Sequence, residues 1–401
     1  MKSNYKKLGQ YVRLLDNRNK DGQYGEESLK GISVTKEFIA SHANLVGVSF
    51  NGYKIVENGQ FAYIPDTSRR GDKIAIAYNN SGKTIIVSSI CSVFEVSDTD
   101  NLCPEYLMMW FMRPEFDRYA RFMSNGSARE VFDWECMCGV EIPIPSRAEQ
   151  QKMVHDYNVV TNRIELLKKI NDNLEETIKT IFKSWFLDFD ALDNVEFVQS
   201  QYGLIPNGWH YELLGNLCDC VTKGTTPTTL DKDFTDTGIN FIKGESINDD
   251  HSFNKALFAH IDDETDRLLK RSRIYENDIV FTIAGTLGKF ALVDSSVVPA
   301  NTNQAVAIIR TNKITSKLLY SYFIGGWQVE FYKRNTQQAV QANLSLGTIK
   351  NLPILLPDSK GQMCYMQLVN PLIVGMQTNF AEIEKLYDLQ HQILTRLSSS
   401  R

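Results

Sequence analysis

No Pro-Pro dipeptide occurs anywhere in the 401 residues, so the Asn/Asp-Pro-Pro-aromatic signature of a methyltransferase is absent. Seven cysteines is an odd number for a disulfide framework, and the two close pairs, Cys136/Cys138 and Cys218/Cys220, are spaced C-x-C where zinc sites use C-x-x-C. Reduced thiols and no metal centre are expected. The six histidines are scattered, and no Ser/His/Asp or clustered-carboxylate arrangement marks a catalytic centre. The opening "MKSNYKKLGQYVRLL" has no apolar signal core, and no run approaches the ~18 to 20 apolar residues of a membrane span. A cytoplasmic protein is expected.

An excess of positive charge is missing too. The net charge is −5, divided as −1 for residues 1–146, −3 for 147–199, −1 for 200–360 and 0 for the remainder. Phosphate neutralisation supplies most nucleic-acid affinity, so any DNA role rests on local patches or on a basic partner.

What is present is a globular composition, 43% hydrophobic and 11% aromatic, in a chain long enough for two domains. The chain is also written twice. Tyr5, Leu8 and Gly9 of "YKKLGQYV" match Tyr211, Leu214 and Gly215 of "YELLGNLC". "GDKIAIAYNNSGKTIIVSS" at 71 falls on "NDIVFTIAGTLGKFALVDS" at 277, Leu107 and Phe111 on Leu319 and Phe323, and "EIPIP" at 141 on "NLPIL" at 351. Each half reads as β-branched alternating runs, a short helix, an Ile/Leu-Pro strand and a long helix. The expected fold class is α+β: two mixed α/β globules in tandem, separated by two long antiparallel coiled-coil helices. The boundaries are a first globule at 1–146, a central helix at 147–192, a linker at 193–208 whose breakers restart the pattern, a second globule at 209–360 and a distal helix at 361–401.

Met153, Tyr157, Val160, Ile164, Leu167, Asn171, Leu174, Ile178, Ile181 and Trp185 recur in steps of four and three, a coiled-coil seam broken by Asn171. The distal seam, Met366, Val369, Ile373, Met376, Phe380, Ile383, Tyr387, Gln390, Leu394 and Leu397, is broken by Gln390. Asn171 and Gln390 are the candidates for fixing register. Pro371 kinks this second helix or marks its true beginning. In "IFKSWFLDFD" at 181, Trp185 closes the first seam while Phe182, Phe186 and Phe189 lie off it. These aromatics either pack on the adjoining globule or dock another protein.

"AYNNSGKT" at 77 has the outline of a phosphate-cradling loop, with Gly82, Lys83 and Thr84. The β-branched "TIIVSSICSVFEV" that follows disfavours the helix such a loop needs, so a strand-loop-strand connection is expected. Base-edge readers are typically Arg, Asn and Gln. They gather in "KRNTQQAVQAN" as Lys333, Arg334, Asn335, Gln338, Gln341 and Asn343, and in "RYARFMSNGSARE" as Arg118, Arg121, Asn125 and Arg129. Arg69 and Arg70 of "SRRGDK", and Arg271 and Arg273 of "DRLLKRSR", are candidate phosphate contacts. A solvated surface is the plain alternative for all of them.

Taken together, "YELLGNLCDCVTKGTTPTT", "EIPIPSRAEQQKMV", "IFKSWFLDFD" and "ANLSLGTIKNLPILLP", in their order along nearly the full chain, resemble the specificity (S) subunit of a type I restriction-modification system. The resemblance implies two target recognition domains, each reading one half of a bipartite, asymmetric double-stranded DNA site, with the helices as spacer and as docking place for two methyltransferase subunits. It implies two further restriction/translocase subunits, and a chain that is not itself an enzyme. S-adenosylmethionine, ATP and Mg would then belong to the partners, and Phe182, Trp185, Phe186 and Phe189 would be docking residues. A two-headed protein scaffold that does not bind DNA is the alternative. The sequence departs from the pattern in "DSKGQM", where the central helix has "SRAEQQ", and in a distal helix that ends "LTRLSSSR" without a counterpart to "FKSWF".

Overall fold

The structure, a computed structural model, describes residues 5–41, 47–67, 71, 73–124, 130–329 and 344–398. Its contacts divide the chain into two units, one comprising residues up to Glu165 with those from Glu384 onward, the other running from Leu166 to Ile383. The divide therefore cuts each long helix, whereas the sequence pattern assigns the helices to segments of their own.

In the first unit, strands β1 (Tyr5–Lys7), β2 (Val12–Leu15), β3 (Gln60–Tyr63), β4 (Ile76–Tyr78), β5 (Ser92–Val96) and β6 (Glu141–Pro143) alternate with helices α1 (Pro104–Phe111) and α2 (Pro114–Met123), and helix α3 (Arg147–Phe186) follows. Four strands form an antiparallel sheet in the order β2-β5-β3-β4, while β1 pairs with β6. Period-two alternation sends Phe61, Tyr63, Phe94 and Val96 into a core with Leu107 and Phe111 of α1. Their neighbours Ala62, Ala77 and Val93 enter a second core on the opposite face. Prolines at the first positions of α1 and α2 fit the helix start, where no backbone N–H is needed.

The second unit repeats the plan with β7 (His210–Leu213), β8 (Cys218–Lys223), β9 (Ile279–Thr282), β10 (Phe290–Leu292), β11 (Val306–Thr311) and β12 (Pro353–Leu356), and with helices α4 (Ser316–Ile324) and α5 (Ser359–Arg396). The sheet order is β8-β11-β9-β10, and β7 pairs with β12. Phe281 meets Phe323 of α4 with ring centroids 5.4 Å apart, as Phe61 meets Phe111 at 6.0 Å in the first unit.

The repeat holds, but its sequence register in the middle of each half is one strand out. By sheet position β9 is the counterpart of β3, whereas the match at 71 and 277 lays residues 73–76, which lead into β4, on β9. Every strand of such a sheet carries the same apolar alternation, so matching residue types alone slides easily by one strand. The linker is also more ordered than its breakers suggest: Phe197–Ser200 and Gly203–Pro206 form an antiparallel hairpin.

α3 ends at Phe186, six residues short of the expected 192, and α5 runs from Ser359 to Arg396 with Pro371 inside it. Pro371 therefore does not mark the start of that helix. The seam residues face inward, except that Tyr387 is 46% exposed. Both polar interruptions find partners on the other helix: Gln390 Nε2 donates to Thr161 Oγ1 at 2.8 Å within the first unit, and Asn379 Nδ2 donates to Asn171 Oδ1 at 2.7 Å within the second. In the second unit Asn171 faces Asn379 while Leu174 faces Gly375, so the helices run antiparallel there. The "AYNNSGKT" segment links β4 to a further strand, Ile85–Val87, and so has the strand-loop-strand form and no helix behind it.

Candidate nucleic-acid interface

In the first unit the arginine-bearing loops spring from one point. Arg69, Arg70, Asn125 and Arg129 lie outside the described residues, but the residues flanking them are bonded together. Thr67 N donates to Glu130 O at 3.0 Å, Thr67 Oγ1 bonds Ser124 Oγ at 2.8 Å, and Phe132 N donates to Pro65 O at 2.9 Å. The loop after β3 and the loop after α2 are thus tied at their bases. Arg121 pairs with Glu130 at that junction, and Arg118, one turn earlier on α2, is well exposed and 3.4 Å from Glu115. Beneath them the buried Lys36 ammonium pairs with Asp117 of α2 and donates to Ile74 O at 2.8 Å, clamping α2 to the far end of the same loop. Burial pulls the Lys36 pKa down, and Asp117 opposes that pull.

The second unit builds the equivalent corner. Lys333, Arg334, Asn335, Gln338, Gln341 and Asn343 lie outside the described residues, yet Leu344, which follows them, donates its N–H to Ile283 O at the end of β9. The bond matches that between Phe132 and Pro65. Two further loops meet at this end of the sheet. Gly224 lies so close to the 302–303 backbone that an added Cβ would sit 1.6 Å from Thr302 O. Gly224 N donates to Asn303 O at 3.0 Å, Ile283 N donates to Ala305 O at 2.8 Å, and Thr226 Oγ1 donates to Gln304 Oε1 at 2.6 Å. Gln304 is exposed, and the hydroxyl fixes which way its amide points. Sequence reasoning missed Gln304 because its partner is 78 residues away. The only signal was the "KGTTP" string.

The basic pair of this unit divides. Arg271 is exposed, on a short 3-10 helix. Arg273 is committed internally: its Nε and Nη2 reach Asp266 Oδ2 at 2.7 and 2.6 Å, and the other Asp266 oxygen accepts from the buried Asn301 at 3.1 Å. The Asp266 carboxylate pushes the Arg273 pKa up.

The central aromatics do not form an exposed patch in the chain by itself. Phe182, Trp185 and Phe186 are buried in the core of their own unit, and Phe189 packs half-buried against it. Phe182 stacks on Phe186 at 4.9 Å and meets Tyr322 at 5.1 Å, Trp185 meets Tyr365 at 5.6 Å, and Phe189 meets Trp209 at 6.1 Å. The globule thus removes Phe182, Trp185 and Phe186 from water against its own residues, which is the packing alternative of the two that the sequence left open. On the same helix, Glu175 Oε1 stands 3.7 Å from His251 Nε2, whose ring stacks on Phe290 at 4.0 Å. The imidazole, with help from Lys179, holds the Glu175 carboxyl down to about 2.

Among the described residues no group of three or more His, Cys, Asp or Glu side chains is placed to hold a metal ion, and no helix is long and apolar enough to cross a membrane. Residues 206–374 match the family described as the type I restriction modification DNA specificity domain. The chain is 25% identical over 303 residues to the type I restriction enzyme MjaIX specificity subunit of Methanocaldococcus jannaschii, covering 74% of this chain and 69% of that one. It is 21% identical over 409 residues to the HindI specificity subunit of Haemophilus influenzae, covering 86% of each. The crystal structure of the type I restriction-modification S subunit from M. genitalium aligns with a TM-score of 0.53 at 13% identity, over 98% of this chain and 95% of that one, so the two share a fold. The second unit is thus a type I DNA specificity domain, and the first repeats its strand order. Residues 206–374 carry the type I restriction modification DNA specificity domain, and over most of its length the chain is similar to specificity subunits of type I restriction-modification systems.

Proposed function

We propose that this chain is the DNA-reading subunit of a type I restriction-modification complex, each unit reading one half of a bipartite, asymmetric site. The repeated loop corner carries this reading: in both units the loop after the inner strand is bonded at its base to the segment that follows the helical region, Phe132 to Pro65 and Leu344 to Ile283. Two such corners on one chain suit two half-sites. The paired helices set the distance between those half-sites and take up the methyltransferase subunits. The chain performs no chemistry of its own. Two methyltransferase subunits supply S-adenosylmethionine and modify adenine N6, and two restriction/translocase subunits supply ATP and Mg. The two-headed protein scaffold has no observation of its own in its favour.

Co-expression with the methyltransferase subunit, followed by mapping of methylated adenines, tests this. A two-part motif with a fixed gap is expected. Exchanging residues 1–146 for the matching globule of a relative should change one half only. Four residues inserted into α3 beside Asn171 should lengthen the gap by up to ~6 Å, about two base pairs, with both halves retained. A chain that neither assembles with the methyltransferase subunit nor directs methylation overturns the reading.

A further inference from the structure

The two units differ where the end of each long helix meets the globule. Gln150 Nε2 donates to Pro145 O at 2.9 Å at the start of α3, and Gln362 Nε2 donates to Pro357 O at 2.9 Å at the start of α5. The two helices thus begin in the same way, 212 residues apart. That offset also lays Phe111 on Phe323, and so Arg113 on Gly325. Carried to the helix ends, it lays Leu394, Leu397 and Ser398 on Phe182, Trp185 and Phe186.

In the second unit those rings fill a socket. Phe186 meets Tyr322 at 4.7 Å, and Phe182 meets Trp327 at 6.2 Å. Phe182 lies so close to Gly325 that a Cβ there would come within 2.2 Å of its ring. In the first unit the described residues at the matching helix end, Leu394, Leu397 and Ser398, carry no ring. The same offset lays Trp110 on Tyr322, and beside Trp110 there is a cavity of about 420 Å³ whose lining includes Tyr5, Arg113, Phe116, Ser398 and the carboxylates of Glu115 and Glu141. Arg113 is 5% exposed and its guanidinium lies 4.2 Å from the centre of the Trp110 ring. Its Nε has no hydrogen-bond partner, and Glu115 reaches only its Nη2, at 3.5 Å. A buried guanidinium N–H left unpaired is costly, and an oxygen acceptor brought into the cavity would remove that cost.

We infer that this cavity is an acceptor socket for a partner polypeptide, taking an aromatic side chain flanked by an oxygen acceptor, and that the partner is the methyltransferase subunit. The occupant's chemistry is read from the other unit, where the same socket holds phenylalanines supplied by the chain itself. The oxygen requirement follows from Arg113, which replaces Gly325. An aromatic anchor in a desolvated pocket beside an arginine is the usual composition of an interface hot spot. The inference rests on the proposed function for the identity of the partner.

The test titrates the full chain with the methyltransferase subunit. Wild-type chain must bind, and failure there counts against the proposed function and not against the socket. Ser398→Phe restores the counterpart of Phe186 and should fill the socket from within, holding or raising the melting temperature while weakening one methyltransferase binding event about tenfold or more. Arg113→Gln should weaken the same event while the chain stays folded, and it decides the matter if Ser398→Phe does not fold. Wild-type affinity in both folded variants overturns the inference. So does a fall in melting temperature on deleting residues 399–401, which would mean that the chain's own end occupies the cavity.

Discussion

Asn379 donates its side-chain N–H to Asn171 Oδ1 at 2.7 Å, joining the two long helices of the second unit by a polar contact in an otherwise apolar seam. The contact forms only when the two residues face each other, so sliding either helix leaves the buried Asn171 carbonyl without its partner. Asn171→Ala is expected to cost about 0.5–1.5 kcal/mol in urea unfolding, the net worth of an ordinary hydrogen bond, because its partner Asn379 is only part-buried. Leucine at both positions should regain that stability or exceed it, while loosening register. Loosened register would appear as methylated motifs of more than one gap length.

The burial of Phe182 makes the next expectation one of stability and not of assembly alone. Phe182→Ala should destabilise the chain by about 3–5 kcal/mol, the usual cost of emptying a core phenylalanine site. A chain of wild-type melting temperature that had lost only its partner would contradict this.

Acid should weaken the second unit through Glu175. Its carboxyl titrates near 2 in the folded chain, against 4.5 as an ordinary glutamate, so the unfolded chain takes up the proton first as pH falls. The stabilisation is complete above the ordinary value and drains away between it and 2. Urea midpoints measured from pH 6 to pH 2 should fall less steeply for Glu175→Gln than for wild type. Parallel curves would show that the pairing with His251 contributes nothing.

Gln304, oriented by Thr226, has the donor and acceptor needed to read adenine. Gln304→Ala should relax one position of the second half-site, losing about 1–3 kcal/mol of discrimination there. Thr226→Ala should relax the same position less, and the first half-site should not change. Relaxation spread over both halves would place Gln304 outside base reading.

Local chemistry was enough to make much of this protein legible in its sequence. Helical spacing exposed both seams, their two polar interruptions and the lengths of the long helices to within a few residues. β-branched runs exposed the strands and pointed to a strand-loop-strand connection around Lys83. Doubled motifs exposed the tandem, and the order of motifs pointed to the family. These features depend on neighbours within a turn or a strand, and the chain carries them wherever it goes. Tertiary structure decided what depends on distant partners. Four aromatics in ten residues look alike whether they meet solvent, a partner or Tyr322, and only the fold brings Tyr322 beside Phe182. Strand equivalence was decided by hydrogen-bonding order, because alternation is the same in every strand. Thr67 and Ser124, or Thr226 and Gln304, meet only when the sheet has formed, since nothing short of its register sets residues so far apart in sequence within hydrogen-bond reach.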